Sequence, residues 1–216
     1  IYSKNRLLTT IAYRINGKTT YAMEGSIFIA GAGVQWLRDR MKFFKKAPET
    51  EKIVKSLKDN NNIYLVPAFT GLGAPYWDAN ARGVLSGITR DTSPKEIVRA
   101  TIEAVAYQTY DLFEAMKHDG LRPKIVKVDG GMVMNNWFSQ FLSDIVSVKV
   151  LRPKVQETTA LGAAFMAGLQ IGVYKSLKDI SKNWSLDKKF SPKMKNSSRN
   201  KLLIGWSAAI KKTLTN

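Results

Sequence analysis

The sequence predicts an α/β protein with a mixed sheet covered by helices on both faces. Three observations carry that prediction. Asn16-Gly17 is a strong two-residue hairpin signal between the apolar, β-branched run Leu7–Tyr13 and the returning run Lys18–Met23. Beyond the hairpin, short strand-like runs alternate with segments whose apolar residues recur at helical spacing. Ser93-Pro94 followed by Glu96 is a complete helix-start signature, with a capping residue, proline at the first helical position and a capping-box glutamate.

The elements follow in order. A helix is expected over 26–44, with Ile27, Ala30, Val34, Leu37 and Met41 on one face, and a short helix over 51–58. Asn60-Asn61-Asn62 is a turn, and the strand Ile63–Val66 is closed by Pro67. A long loop, 69–82, carries Gly71, Gly73 and Pro75 and leads into a strand at 83–88. The Ser93-capped helix presents Ile102, Val105, Thr109, Leu112, Phe113 and Met116 at helical spacing and stops at Gly120. A strand at 124–128 runs into Asp129-Gly130-Gly131, followed by a helix at 134–146, a short strand at 148–151 and a small-residue helix from Thr158 to Leu169. Residues 175–196 read as a lysine-rich connector, and 200–214 as a last amphipathic helix.

Composition narrows the function classes. The chain of 216 residues has no cysteine, which excludes disulfide scaffolds and thiolate metal sites and fits a reducing cytoplasm. No apolar run approaches the roughly 18 residues of a membrane span. The net charge of +17 suggests a nucleic-acid footprint, but its distribution does not. Residues 175–216 hold eleven Lys/Arg against Asp179 and Asp187, Lys outnumbers Arg by 24 to 10, and no cluster of Arg forks and aromatics stands out. Solvated lysine faces are therefore expected, without nucleic acid as a partner. The start at Ile1, inside a strand-like pattern, is expected to be a cut within a longer protein.

Few residues point to chemistry. The run Val126–Asn136 is strand, Gly130-Gly131 turn and helix start, the place where open α/β sheets bind ligands and where glycine lets a nucleotide approach the backbone. A tight connection explains the same glycines more simply, since neither a G-x-G-x-x-G nor a P-loop pattern is present. Gly31 and Gly33 within an expected helix imply close approach of another helix or of a flat ligand, with Gln35 one turn beyond Gly31 on the same face. Helix packing is again the simpler account. His118, the single histidine, ends a helix and is a poor catalyst candidate, which leaves no zinc site and no Ser-His-Asp triad. Trp36, Trp77, Trp137, Trp184 and Trp206 are scattered and read as packing anchors.

Several segments together resemble one family. Gly83-Val84-Leu85-Ser86-Gly87-Ile88 and, seven residues on, Glu96–Glu103 are similar to the second signature of the FGGY carbohydrate kinases. Phe69–Asp78, Leu7–Ile11, Tyr21–Gly25 and Thr158–Ala164 resemble the glycerol-phosphorylating members in particular. The likeness covers about residues 3–174 and, more weakly, the surroundings of Trp206.

The resemblance implies an actin-like, ribonuclease H-like ATPase fold, here the C-terminal of two domains and incomplete at its N-terminus. Residues 1–174 would be that domain, and 175–216 a lysine-rich connector with a C-terminal helix. Carried over by position, Gly31, Gln35, Gly131 and Asn135 match nucleotide contacts, which turns both glycine clusters from packing features into one nucleotide site. The family implies ATP with Mg2+, glycerol as acceptor and a missing N-terminal domain as partner, and it leaves a homo-oligomer open. The catalytic base, a phosphate hairpin and the acceptor-binding residues are expected upstream of Ile1; no carboxylate here matches the base, and Asp78 and Asp129 read as loop-ordering groups. The chain alone is expected to be inactive. Three other readings stay open: a sister polyol or sugar kinase, a non-catalytic ATP-binding or basic interaction module, and the product of a truncated gene.

Overall fold

A computed structural model describes residues 2–215; Ile1 and Asn216, the outermost positions of the two expected segments, lie outside the described residues. The hairpin forms where expected: β1 (Leu8–Ile15) pairs antiparallel with β2 (Lys18–Glu24), with an irregularity between Ile11 and Tyr13. Gly17 takes the left-handed conformation (φ +77°) that the tight turn requires.

The first expected helix is much shorter than its periodicity suggests. It begins at Gly31 and ends at Asp39 (α1) rather than spanning 26–44. Upstream, the Ser26 carbonyl accepts the Ala74 N–H at 3.2 Å, so the loop takes a backbone group that a helix would have used. Downstream, Lys42 lies in the left-handed region (φ +59°), which stops the helix. The next helix, α2 (Glu49–Lys55), starts two residues before the expected 51. β3 (Tyr64–Val66) and β4 (Val84–Ser86) pair antiparallel.

The Ser93-capped helix, α3 (Pro94–His118), is the spine of the molecule. Ser93 Oγ accepts the Lys95 N–H at 3.2 Å, while Glu96 Oε2 accepts the Ser93 N–H at 3.0 Å. Such a reciprocal cap is worth about 1 kcal/mol. Its middle turns are buried on several sides, against α1, α2 and β3. Glu103 is fully buried there, with one carboxylate oxygen accepting Arg99 Nε at 2.7 Å and the other the Tyr107 hydroxyl at 2.9 Å. Burial raises its pKa, and the Arg99 charge opposes that rise.

After β5 (Ile125–Lys127) the helix expected over 134–146 starts two residues late and is preceded by a separate turn. Gly131–Met134 forms a 3-10 turn, and α4 (Asn136–Val146) begins only after Asn135. Asn135 is its N-cap, the Oδ1 accepting the Phe138 N–H at 3.0 Å, a role asparagine fills well because its carbonyl satisfies an orphan donor. β6 (Lys149–Pro153) runs parallel to β5, and α5 (Thr158–Gln170) follows.

The connector is more structured than its lysines suggest. It contains α6 (Leu177–Ser181) and β7 (Leu186–Phe190), which pairs antiparallel with β6. The last helix, α7 (Asn196–Thr213), starts four residues before the expected 200. Trp206 on α7 is buried in the main core, stacked on Tyr107 at 5.3 Å, and donates its Nε1–H to Asp111 at 2.8 Å. The mixed α/β architecture is thus present, with pairing among the described residues divided over a hairpin, the β3–β4 pair and the mixed sheet β5–β6–β7.

Candidate functional site

The start of α1 and the 3-10 turn face one another across a cleft of about 360 Å3. Gly31, Val34, Gln35 and Arg38 of α1 form one wall; Gly131, Met132, Met134 and Asn135 form the other; Ile102 of α3 and Ala47, Pro48, Thr50 and Glu51 close it. All four residues singled out from the sequence, Gly31, Gln35, Gly131 and Asn135, line this one cleft although a hundred residues separate the two pairs.

The glycines differ in why they are glycine. A Cβ on Gly33 would lie 3.0 Å from Thr101 Cγ2, so this residue lets α1 approach α3. A Cβ on Gly31 or Gly131 would meet nothing within 4 Å, so no neighbouring part of the protein forbids one. Gly31 is also the first residue of α1 rather than an interior one, which removes most of the helix penalty expected for it. Gly130, in contrast, has φ +81°, a conformation that the turn demands.

The polar groups are unevenly engaged. The side chain of the exposed Gln35 makes no hydrogen bond among the described residues, which leaves its amide available at the cleft. Arg38 is held by its neighbour Asp39 at 2.6 Å. Glu51 pairs with Lys55 at 2.5 Å, which with the Asn136 N–H holds its carboxyl below the usual range despite partial burial. Among the described residues this cleft therefore contains one carboxylate, already engaged, and no group of three or more potential metal ligands occurs anywhere in the structure. Open space beside the bare backbone of Gly31 and Gly131 leaves room for a flat ligand, but the described side chains lining the cleft do not form a Mg2+ site.

The aspartates read as loop-ordering groups do order loops. Asp78 accepts the N–H groups of Asn80, Ala81 and Thr215, which hold it ionised below the ordinary range, and Asp129 accepts the Thr158 hydroxyl at the start of α5. His118 is exposed at the end of α3. A larger crevice of about 570 Å3 opens between the Asn60–Asn62 turn and α7. It contains none of the sequence-predicted residues, and its Asp144 is occupied by Gln140, Lys193 and Met194 N–H groups, so the smaller cleft is the candidate site.

Sequence reasoning missed Thr50 and Glu51, which reach the cleft from α2. Their positions follow a loop with no motif, and only their hydrogen bonds to Asn135 and Asn136 reveal a link to the site.

Comparison with known proteins gives one consistent answer. The sequence profile of the "FGGY family of carbohydrate kinases, C-terminal domain" matches residues 4–171. Glycerol kinase 1 of Pseudomonas aeruginosa is 56% identical over 212 residues, covering 98% of this chain and 43% of that protein. A glycerol kinase of Clostridium botulinum is 53% identical over 98% of this chain and 43% of its own length. The chain thus spans less than half the length of the curated relatives it matches. Among solved structures, Plasmodium falciparum glycerol kinase with ADP superposes with a TM-score of 0.89 at 37% identity, covering all of this chain and 44% of that one. Xylulose kinase from Lactobacillus acidophilus, at 22% identity and a TM-score of 0.78, shares the fold. This chain therefore belongs to the FGGY family of carbohydrate kinases and has the actin-like fold of their C-terminal domain.

Proposed function

We propose that this chain is the nucleotide-binding part of an enzyme that transfers the γ-phosphoryl group of ATP to glycerol, giving sn-glycerol 3-phosphate and ADP. The observation that carries the reading is the meeting of Gly31, Gln35, Gly131 and Asn135 around one cleft in a chain 53–56% identical to glycerol kinases. The two glycines present bare backbone to a flat ligand, and the Gln35 and Asn135 amides offer donors and acceptors to it. In the transfer, a glycerol hydroxyl oxygen bonds to the γ-phosphorus, the bond to the β-phosphate oxygen breaks, and a base takes the hydroxyl proton. Mg2+, when bound with ATP, would neutralise the phosphate charge. The base, the ion's protein contacts and the acceptor grip are assigned to an N-terminal domain outside this sequence. Residues 1–174 are taken as the actin-like unit, with 175–216 as its connector and C-terminal helix. A cytoplasmic location and a homo-oligomeric state belong to the same reading.

Phosphoryl transfer depends on positioning and closure across two domains, so the 216-residue chain alone is expected to show no turnover. A coupled assay for glycerol 3-phosphate with ATP and Mg2+ tests this directly. Joined in one polypeptide to the N-terminal portion of the Pseudomonas aeruginosa relative, the chain is expected to support glycerol-dependent turnover. Activity of the chain by itself would show the catalytic groups to be misplaced here. A folded chimera that shows no ATP-dependent turnover of glycerol would overturn the assignment of this chain as the nucleotide-binding part of such an enzyme.

A further inference from the structure

Asn135 is fixed from both ends, and one end belongs to a different helix. Its Oδ1 accepts the Phe138 N–H at 3.0 Å, while its Nδ2 donates to Thr50 Oγ1 at 3.3 Å. Thr50, 4% exposed at the start of α2, donates its own hydroxyl hydrogen to the Ala47 carbonyl at 2.7 Å. With that hydrogen committed, the threonine oxygen can only accept, and it requires the nitrogen end of the Asn135 amide. A flipped amide would set oxygen against oxygen at Thr50 and N–H against N–H at Phe138. One hydrogen of Nδ2 is then used, and the other has no acceptor among the described residues. A second rung lies beside the first, where the Asn136 N–H donates to Glu51 Oε2 at 3.3 Å. The starts of α2 and α4 are thereby stitched together along the wall opposite Gly31 and Gln35.

We propose that Thr50 is a positioning residue for the nucleotide: it holds the Asn135 amide so that its remaining N–H donor is presented to an acceptor atom of the ligand. The role rests on the nucleotide reading of the cleft. It does not follow from packing alone, because valine would fill the same space as threonine while removing the acceptor.

The test is an ADP titration of the 216-residue chain followed by 1H–15N spectra. The side-chain amide signals of Asn135 are expected to move with ADP together with the backbone signals of Gly31 and Gly131. Thr50→Val is expected to weaken ADP binding about 5–10-fold, the scale of one lost hydrogen bond, and Thr50→Ser to stay within about twofold of the native chain. In an Asn135→Ala background, Thr50→Val is expected to have no further effect, since its action passes through the absent amide. Native affinity in a folded Thr50→Val chain, or losses that add in the double variant, would overturn the role. Should Thr50→Val not fold, Asn135 side-chain signals that stay fixed while Gly31 and Gly131 move would overturn it equally. If ADP moves neither glycine, the nucleotide reading fails, and this role with it.

Discussion

Gly31 and Gly131 are informative because nothing in the protein needs them to be bare. Where a glycine answers to the fold, either a neighbour stands in the way of a Cβ, as Thr101 does at Gly33, or the backbone is left-handed, as at Gly130. At Gly131 the space is open and the backbone is not in the left-handed region, so Gly131→Ala is expected to leave stability within about 0.5 kcal/mol. The same change is expected to weaken ADP binding by about 1–3 kcal/mol, because the methyl group enters ligand space. Paired unfolding and binding measurements separate the two effects, and unchanged affinity would remove Gly131 from the site. A second prediction concerns Asp111, whose carboxylate accepts the Tyr76 hydroxyl at 2.9 Å and Trp206 Nε1 at 2.8 Å. Burial pushes its pKa up to about 6, against the pull of those two donors. The folded protein thus holds this proton more tightly than the unfolded chain, whose aspartates titrate near about 3.9. Its contribution to stability is full below that value and is lost as pH rises through about 6. Relative to Asp111→Asn, the native chain is expected to lose about 1 kcal/mol between about pH 5 and pH 7.5. Urea unfolding of both at the two pH values checks it; a constant difference would show that Asp111 does not titrate in this window.

Among the elements, α3 and α7 show how local signals and packing combine. Ser93, Pro94 and Glu96 set the start of α3 by contacts within four residues, and the expected start matches the observed one. The boundary of α1 was set elsewhere, by the loop that captures the Ser26 carbonyl. α7 docks on β3 through Gly205, where a Cβ would fall inside the contact radius of the Tyr64 ring and hydroxyl. Tyr64 is buried and lies 5.9 Å from Tyr107, so it has little room to withdraw. Alanine favours a helix by about 1 kcal/mol over glycine, yet the overlap costs about 1–3 kcal/mol or more in a packed core. Gly205→Ala is therefore expected to lower stability. A melting temperature at or above the native value would mean that α7 can shift off β3 freely.

For the molecule as a whole, apolar surface and charge oppose one another. α5 is apolar on nearly every side, yet Ala160, Ala163, Ala164, Met166 and Ala167 are exposed, and Ile171 is 77% exposed just beyond it. Ile11 and Tyr21 on the hairpin are 61% and 67% exposed. A helix of that composition is ordinarily covered. The +17 charge keeps copies apart at low salt, but screening weakens that repulsion and sulfate strengthens apolar association. The isolated chain is expected to self-associate as sulfate concentration rises, read by sedimentation velocity. A chain that stays monomeric throughout would show these surfaces to be adequately solvated.

The amino-acid sequence by itself determined the hairpin, the capped α3 and the order of strands and helices as far as α5, because Asn16-Gly17, Ser93-Pro94 and helical periodicity act within a few residues of one another. It also carried the family signatures and the four cleft positions, through resemblance. It did not determine that α1 stops short, that Asn135 caps α4 instead of lying inside it, or that a strand hides among the lysines of 186–190. The first and last depend on a backbone carbonyl taken by a distant loop and on a partner strand with unpaired edge groups, whereas the Asn135 cap uses the Phe138 N–H three residues on and is braced by Thr50, 85 residues away. Local spacing contains no record of such partners; only the folded chain brings them into reach.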